Sequence, residues 1–193
     1  FSTAHRIPAS IIVALGLAAA ALGLADEPAK PLVAKTPRVP APGIELPGNV
    51  RAQLRAHTDA LGQAIDALAR QHAGTPPLLR YLPDVQVYHK AVDWALKHQL
   101  FFRQSELVTA ESLLAAGIKR AAQLAKGKIP WTRATGLVVR GYVSRLDDSV
   151  QPYGLVIPQS YSTDPWRNRR LDVWLHGRDN KLSELKFIHQ RRP

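Results

Sequence analysis

A chain of 193 residues with 46% hydrophobic residues can form one ordinary domain with a real core, which excludes a wholly disordered protein. It contains no cysteine, so disulfides, thiolate metal sites and a cysteine nucleophile are excluded together. The net charge of +11 raises the question of nucleic-acid binding, but the basic residues are scattered apart from "RNRR" at 167–170 and "QRRP" at the end. We therefore expect a basic, solvated surface and no nucleic-acid partner.

Residues 1–25 are typical of an export signal. A short basic start precedes an uncharged apolar stretch, and the small residues Gly23 and Ala25 lie just before the acidic Asp26. A single membrane-spanning helix is the alternative, because the stretch is near the roughly 18-residue lower limit for crossing a bilayer. We expect cleavage after Ala25, export to the periplasm or the medium, and no stable membrane span after cleavage.

Residues 26–48 contain six prolines, a density that prevents helix formation and predicts an extended linker. Helical periodicity follows over residues 49–128, which we interpret as a helical N-terminal unit. The first helix is predicted to begin at a cap on Asn49 and to end before Gly74. The second runs from a cap at Asp84 to about His98, and the third from Ser105 to about Lys126.

Each of these three helices has one apolar face, and Gly127 is predicted to end the third. The residues predicted to face inward are Leu54, Leu61, Ile65, Leu68, Val85, Tyr88, Val92, Ala95, Leu107, Ala110, Leu114, Ile118 and Ala121. Aromatic and histidine side chains of this unit are candidates for a ligand surface, although core aromatics and surface histidines are the interpretation we favour. They are Tyr81, Tyr88, His89, Trp94, His98, Phe101 and Phe102.

From Gly136 the apolar period changes to the alternation of a strand. "GLVVRGYVSRLDD" at 136–148 and "VQPYGLVIPQS" at 150–160 predict a hairpin. "RLDVWLHG" at 170–177 predicts a third strand, and "LSELKFIHQ" at 182–190 an amphipathic helix through Leu182, Leu185 and Phe187 or Ile188. The predicted fold class is α/β, with the helical N-terminal unit followed by the opening strands of an incomplete sheet.

The phrases "SVQPYGLVIPQSY" and "RLDVWLHGRDNKLSELKF" resemble the opening of an α/β-hydrolase catalytic domain. The similarity covers about residues 136–193 and is strongest to the prolyl-oligopeptidase-like and polyester-depolymerase or esterase-like branches. It implies that the backbone N–H of Arg178, or that of its neighbour Gly177, contributes to an oxyanion hole, where each donor is worth roughly 3–4 kcal/mol. His176 would then shape the loop and would not act as the catalytic base.

The sequence departs from that family at two points. The loop reads His-Gly-Arg where many relatives have His-Gly-Gly, and no Gly-x-Ser-x-Gly occurs anywhere in the chain. The nucleophile, acid and base of the fold follow its first helix, so we expect a C-terminally truncated sequence that contains none of the three. No serine in the chain is paired with a base and an orienting acid at a useful spacing.

The expected function is therefore that of the N-terminal part of an exported serine hydrolase acting on peptide or ester carbonyls, and the sequence leaves peptidase and esterase both open. We expect no cofactor, and no metal site, because His89 and His98 are nine residues apart without a carboxylate pair at ligand spacing. Two other hypotheses remain. One is a non-enzymatic cell-envelope binding module, and the other is nucleic-acid binding through Arg167, Arg169, Arg170, Arg191 and Arg192.

Overall fold

A computed structural model of the chain describes residues 42–161, 170–175, 181 and 183–192. The predicted signal segment and most of the predicted linker lie outside these residues. The described part is mixed helix and sheet, with one antiparallel hairpin and a turn of 3₁₀ helix at Pro130–Thr132. Its elements are α1 (Gly48–Gln71), α2 (Pro76–Leu79), α3 (Pro83–Lys97), α4 (Ser105–Ala125), β1 (Gly136–Val143), β2 (Val150–Ile157) and α5 (Glu184–Gln190).

Helices α1, α3 and α4 form where the apolar periodicity predicts them, and their buried faces make the core. Leu61 of α1, Tyr88 of α3 and Leu114 of α4 are among the buried residues. The cap prediction for α1 was wrong, because Pro47 occupies the N-cap position and Asn49 lies inside the first turn. Proline suits a helix start since its missing N–H has no partner there in any case.

The inward face of α4 differs from the prediction by one residue. Ile118 is 42% exposed, whereas its neighbour Gly117 is buried. A Cβ atom on Gly117 would lie 2.6 Å from Leu61 Cδ2 and 3.0 Å from Tyr88 Cβ. Glycine therefore allows α4 to approach α1 and α3 closely, and this contact turns Ile118 toward the solvent.

The predicted hairpin is confirmed, with strands somewhat shorter than the sequence suggested. Val139 pairs with Gly154, and Gly141 pairs with Pro152. Val138 and Val139 are buried in the same core as the three long helices, together with Leu185 and Ile188 of α5. The helices, the hairpin and α5 thus share one hydrophobic core. Of the two inward residues considered for α5, Ile188 is fully buried and Phe187 only partly.

The prediction of a third strand was wrong for the residues that the structure describes. Residues 170–175 have no strand conformation, and Leu171, Val173, Trp174 and Leu175 are between 74% and 89% exposed. An apolar run becomes a strand only where a neighbouring backbone offers hydrogen bonds, and neither strand of the described hairpin pairs with this run. Its last two predicted residues, His176 and Gly177, lie outside the described residues.

Candidate functional site

An open cleft of about 640 Å³ lies between α1, α3 and the turn of the hairpin. A cleft of this size fits a small ligand or a few side chains of a partner. Its lining residues are Asp59, Gly62, Gln63, Ile65, Asp66, Gln86, His89, Lys90, Trp94, Ser149 and Val150.

The α1 wall of the cleft carries two carboxylates on one face. Asp59 and Asp66 are seven residues apart, close to two full turns, so they project in nearly the same direction about 10 Å apart along the axis. Both are exposed, and neither has a hydrogen-bond or ion-pair partner among the described residues. Gly62 lies between them in the sequence and, having no side chain, projects nothing into the cleft at that position.

The α3 wall is aromatic and faces that glycine. His89 Nε2 would lie 3.1 Å from a Cβ atom on Gly62, so the absence of a side chain there makes room for the imidazole. Five residues further along α3, Trp94 is 45% exposed. His98 packs edge-on against Trp94, with ring centroids 5.6 Å apart. Ile65 of α1 supplies a buried apolar residue to the cleft lining.

Lys90 joins three elements at the end of the cleft. Its ammonium donates to the backbone oxygen of Val150 at 2.7 Å and to Glu184 Oε1 at 2.6 Å, and it lies 4.7 Å from the centre of the Trp94 ring. The Lys90 side chain is only 11% exposed. Its positive charge is therefore engaged inside the protein and is not offered to a ligand.

Glu184 begins α5 and is less well satisfied than its lysine partner. Burial raises the pKa of its carboxyl above the ordinary 4.5, and this effect exceeds the opposing attraction of Lys90. The second carboxylate oxygen, Oε2, is buried and has no hydrogen-bond partner among the described residues. The pair thus holds α5 against α3, while the second oxygen of the Glu184 carboxylate accepts no hydrogen bond from the described residues.

A second buried polar cluster fixes the hairpin to the start of α3. Asp84 is fully buried, and its carboxylate accepts hydrogen bonds from Arg140 Nε, from the indole N–H of Trp131 and from the backbone N–H of Gly141, all at 2.8–2.9 Å. The prediction that Asp84 caps α3 was wrong, because α3 begins at Pro83 and no side-chain capping bond forms.

Arg120 of α4 completes this cluster from the other side. It donates to the backbone oxygens of Asp84 and Val139, and its guanidinium lies over the rings of Tyr88 and Trp131. Burial lowers the pKa of Arg120 and raises that of Tyr88, in each case because the charged form loses solvation. The cluster therefore joins α3, α4 and β1.

The candidate oxyanion donors Gly177 and Arg178, and the loop residue His176, lie outside the described residues. Of the aromatic and histidine candidates, His89 and Trp94 line the cleft, whereas Tyr88 and Phe101 are buried in the core. The structure therefore separates the candidates into cleft residues and core residues, a distinction that spacing alone did not make.

The basic residues considered for nucleic acid are partly engaged within the chain. Arg170 pairs with Asp172, and Arg192 donates to the hydroxyl and backbone oxygen of Ser112. Arg191 lies over the Phe187 ring and against Gly154. Arg167 and Arg169 lie outside the described residues, so only three of the five are located.

Within the ranges that the structure describes, no group of three or more histidine, aspartate or glutamate side chains is arranged to hold a metal ion. No helix in those ranges is both long and apolar enough to cross a membrane. A scan against known protein families matched no family model, and searches of curated proteins and of solved structures found no match.

Sequence reasoning did not single out four charged residues, Asp59, Asp66, Lys90 and Glu184. Asp59 and Asp66 read as solvated positions on the polar side of α1, and their i, i+7 spacing was the available signal. Lys90 and Glu184 are 94 residues apart, so no local pattern links them. Their pairing became visible only when α5 was placed against α3.

Proposed function

We propose that this chain forms the opening part of an exported serine hydrolase of the α/β-hydrolase type, with the nucleophile supplied by residues outside these 193. One observation carries the proposal. Residues 171–175 follow an antiparallel hairpin, four of the five are apolar, and those four side chains are 74–89% exposed.

An apolar run of this composition is typical of an interior strand of an α/β sheet, where both faces are covered. Each side chain of this kind gains about 1.5–3 kcal/mol when it is buried, so leaving four of them in water is costly. A contiguous exposed apolar segment marks a surface that is covered in the working protein. Further strands of a hydrolase sheet would provide that cover.

The helical unit has a defined place in this proposal. Because the helices and the hairpin share one core, and because Lys90 connects α3 to both β2 and α5, the helical unit is a fixed support beside the catalytic domain and does not move as a lid. In the sequence, the proposed oxyanion donors Gly177 and Arg178 fall between the exposed run and α5.

The test is to sequence the gene downstream of the codon for residue 193. The proposal requires a Gly-x-Ser-x-Gly motif after a further apolar strand, followed by an aspartate and then a histidine. The longer protein should be labelled by a fluorophosphonate probe, and replacing the motif serine with alanine should abolish labelling. A stop codon directly after residue 193 would exclude the proposal for this protein.

Peptide and ester substrates are distinguished in the same experiment. Turnover of a p-nitrophenyl ester without cleavage of a peptide anilide assigns the enzyme to the esterases, and the reverse result assigns it to the peptidases. The 193-residue chain is the matched control, because we expect it to react with neither substrate and not to be labelled.

A second candidate, a cell-envelope binding module, is favoured by the cleft between α1 and α3. That surface is complete within the described residues, so binding there needs no further domain. This candidate requires the native protein to end near residue 193 and to fold stably by itself. The downstream sequence therefore decides between the two candidates.

A further inference from the structure

We infer that two copies of this chain associate by strand exchange, in which residues 171–175 of each copy add a strand to the outer edge of β2 in the other copy. The outer edge is the side of β2 that faces away from β1. This inference goes beyond the hydrolase proposal and does not depend on it, because both parts of the contact lie within the residues that the structure describes.

The register of the hairpin determines which backbone groups of β2 point away from β1. Gly141 pairs with Pro152, yet its N–H donates to Asp84, and proline has no N–H to offer in return. This pair is therefore not hydrogen-bonded across the hairpin. Because the two kinds of pair alternate along an antiparallel ladder, the N–H and C=O groups of Gly154 and Val156 also point away from β1.

The two edges of the hairpin differ in how their outward groups are satisfied. On β1, side chains from the helices bind the outward groups of Val139 and Gly141. On β2, the outward groups of Gly154 and Val156 have no hydrogen-bond partner among the described residues, and both residues are exposed. Unpaired backbone groups on an exposed edge are a template for another strand. The outer edge of β2 is therefore open to pairing, whereas that of β1 is blocked at its middle.

Charge complementarity determines which face of the run meets which face of β2. The Arg191 side chain lies over Gly154, where an added Cβ atom would be 2.9 Å from its Cγ, and it has no ion-pair partner among the described residues. Asp172 is the only acidic residue of the run, and its ion pair with Arg170 is exposed and therefore weak. With Asp172 opposite Gly154, its carboxylate lies beside Arg191 of the other copy.

The same register brings apolar side chains together. Successive side chains of a strand point to opposite faces, so Leu171, Val173 and Leu175 then continue the face of β2 that carries Leu155 and Ile157. Those two residues of β2 are partly buried against the core, whereas the three residues of the run are 74–88% exposed. Pairing therefore covers the apolar run and satisfies the open edge in one contact.

A second copy is the occupant that we infer, because one chain contains both parts of the contact without joining them. Residues 170–175 have no strand conformation, and neither strand of the hairpin pairs with them. In a two-fold pair, each copy gives its run and receives the other, so the contact forms twice and the assembly closes as a dimer. A strand from a longer form of the protein is the alternative occupant, and it leaves the 193-residue chain monomeric.

The first experiment uses the absence of cysteine from the chain. Val156→Cys and Trp174→Cys, both at exposed positions, are made as separate full-length variants, mixed, and treated with bismaleimidohexane. A link between positions 156 and 174 in this mixture must join two copies, and mass spectrometry of the linked peptides identifies it. Leu146→Cys mixed with Trp174→Cys is the matched control, because Leu146 is 97% exposed in the hairpin turn, away from the open edge, and should link less.

The second experiment removes one donor from the open edge. Val156→Pro deletes an outward N–H and keeps the hydrogen bonds between β1 and β2, since the native Pro152 lies at an equivalent position. We expect the dimer, measured by size exclusion with light scattering, to weaken about tenfold. Val156→Thr keeps the N–H and the branched shape and should weaken the dimer less than about threefold.

The same comparison is repeated within the run. Val173→Pro and Val173→Thr lie at a position that is 74% exposed, so neither change disturbs the folded core. We expect the proline variant to weaken the dimer about tenfold and the threonine variant less than about threefold. Circular dichroism checks that every variant remains folded.

A dimer of the parent chain, a 156–174 link between copies and a weakened dimer in both proline variants support the inference. It is overturned if the chain remains monomeric at the concentration used for cross-linking. It is also overturned if a Val156→Cys/Trp174→Cys double variant links within one chain while the mixture shows no link between chains, or if both proline variants dimerise as strongly as their threonine controls.

Discussion

The Nε–H of Arg140 donates to both carboxylate oxygens of Asp84, each at 2.9 Å, and so ties β1 to the first turn of α3. The carboxylate is fully buried, and the Arg140 side chain is 18% exposed. Two donors besides Arg140, from Trp131 and Gly141, complete the shell of the carboxylate. The helical unit and the hairpin therefore meet at a fully satisfied buried charge.

We expect Asp84→Asn to lower the free energy of unfolding by about 3 kcal/mol, since removing one partner leaves a buried guanidinium uncompensated. Urea denaturation followed by circular dichroism measures this change. Asp93→Asn is the matched control, because Asp93 pairs with Arg55 at a partly exposed position and should cost less than about 1 kcal/mol. If the two variants lowered the free energy of unfolding equally, the buried cluster would contribute no more to stability than the partly exposed pair does.

Glu184 makes the stability depend on pH in a predictable direction. A carboxyl whose pKa is raised in the folded state binds protons more tightly there than in the unfolded chain. The contribution of Glu184 to the free energy of unfolding is fully present below the ordinary pKa of 4.5. It is lost as the pH rises through the higher pKa of the folded state.

Glu184→Gln should therefore reduce the fall in unfolding free energy between pH 4.5 and neutral pH. The amide oxygen keeps an acceptor for Lys90, so the fold is retained. Urea midpoints at several pH values measure the slope, and Glu45→Gln, at an exposed position, should leave it as in the parent chain. An unchanged slope in Glu184→Gln would contradict the assignment of this pH dependence to Glu184.

Gly141 is required by a close backbone approach. A Cβ atom there would lie 2.1 Å from the backbone oxygen of Pro83, and backbone cannot move aside cheaply. We expect Gly141→Ala to destabilise the protein by about 2–3 kcal/mol. Gly74→Ala meets no atom within 4 Å and should change the stability little. Thermal unfolding of the two variants makes the comparison, and a stable Gly141→Ala would mean that β1 and α3 are not so close.

The exposed run at 171–175 should promote self-association of this chain when it is produced alone. Val173→Asp together with Leu175→Asp should reduce that association without lowering the free energy of unfolding, because both side chains are largely in water. Light scattering after size exclusion measures the effect. Leu146→Asp, at an isolated residue in the hairpin turn that is 97% exposed, should have a smaller effect.

The same double substitution separates the functional proposals. In a longer hydrolase, Val173 and Leu175 would be covered by further strands, so aspartates there should destabilise the longer protein. A longer protein that tolerates both aspartates would argue against burial of the run in a sheet.

The long helices were predictable because their signal is local. Leu54, Leu61 and Leu68 recur at helical spacing within one segment, and Gly127 adopts the left-handed φ of +67° that ends a helix. The choice between Gly117 and Ile118 was not predictable, because it depends on how closely α4 approaches Leu61 and Tyr88.

The long-range polar pairs, and the absence of strand conformation at residues 170–175, could not be predicted from the sequence, for related reasons. Asp84 reads as a helix cap, yet its partners Trp131 and Arg140 are 47 and 56 residues away. Residues 171–175 have the composition of a strand whether or not a partner strand is present. The composition of a segment indicates its strand propensity, whereas strand formation also requires a neighbouring strand to pair with.

The polar contacts of α3 also set an order of events during synthesis. Asp84 and Lys90 leave the ribosome well before their partners, since Val150 and Glu184 follow Lys90 by 60 and 94 residues. Until then both charges must remain hydrated, so that side of α3 cannot be buried when α1 and α3 first associate. We therefore expect helix pairing to come first, and docking of the hairpin and α5 to be the later, slower step because it must close long loops.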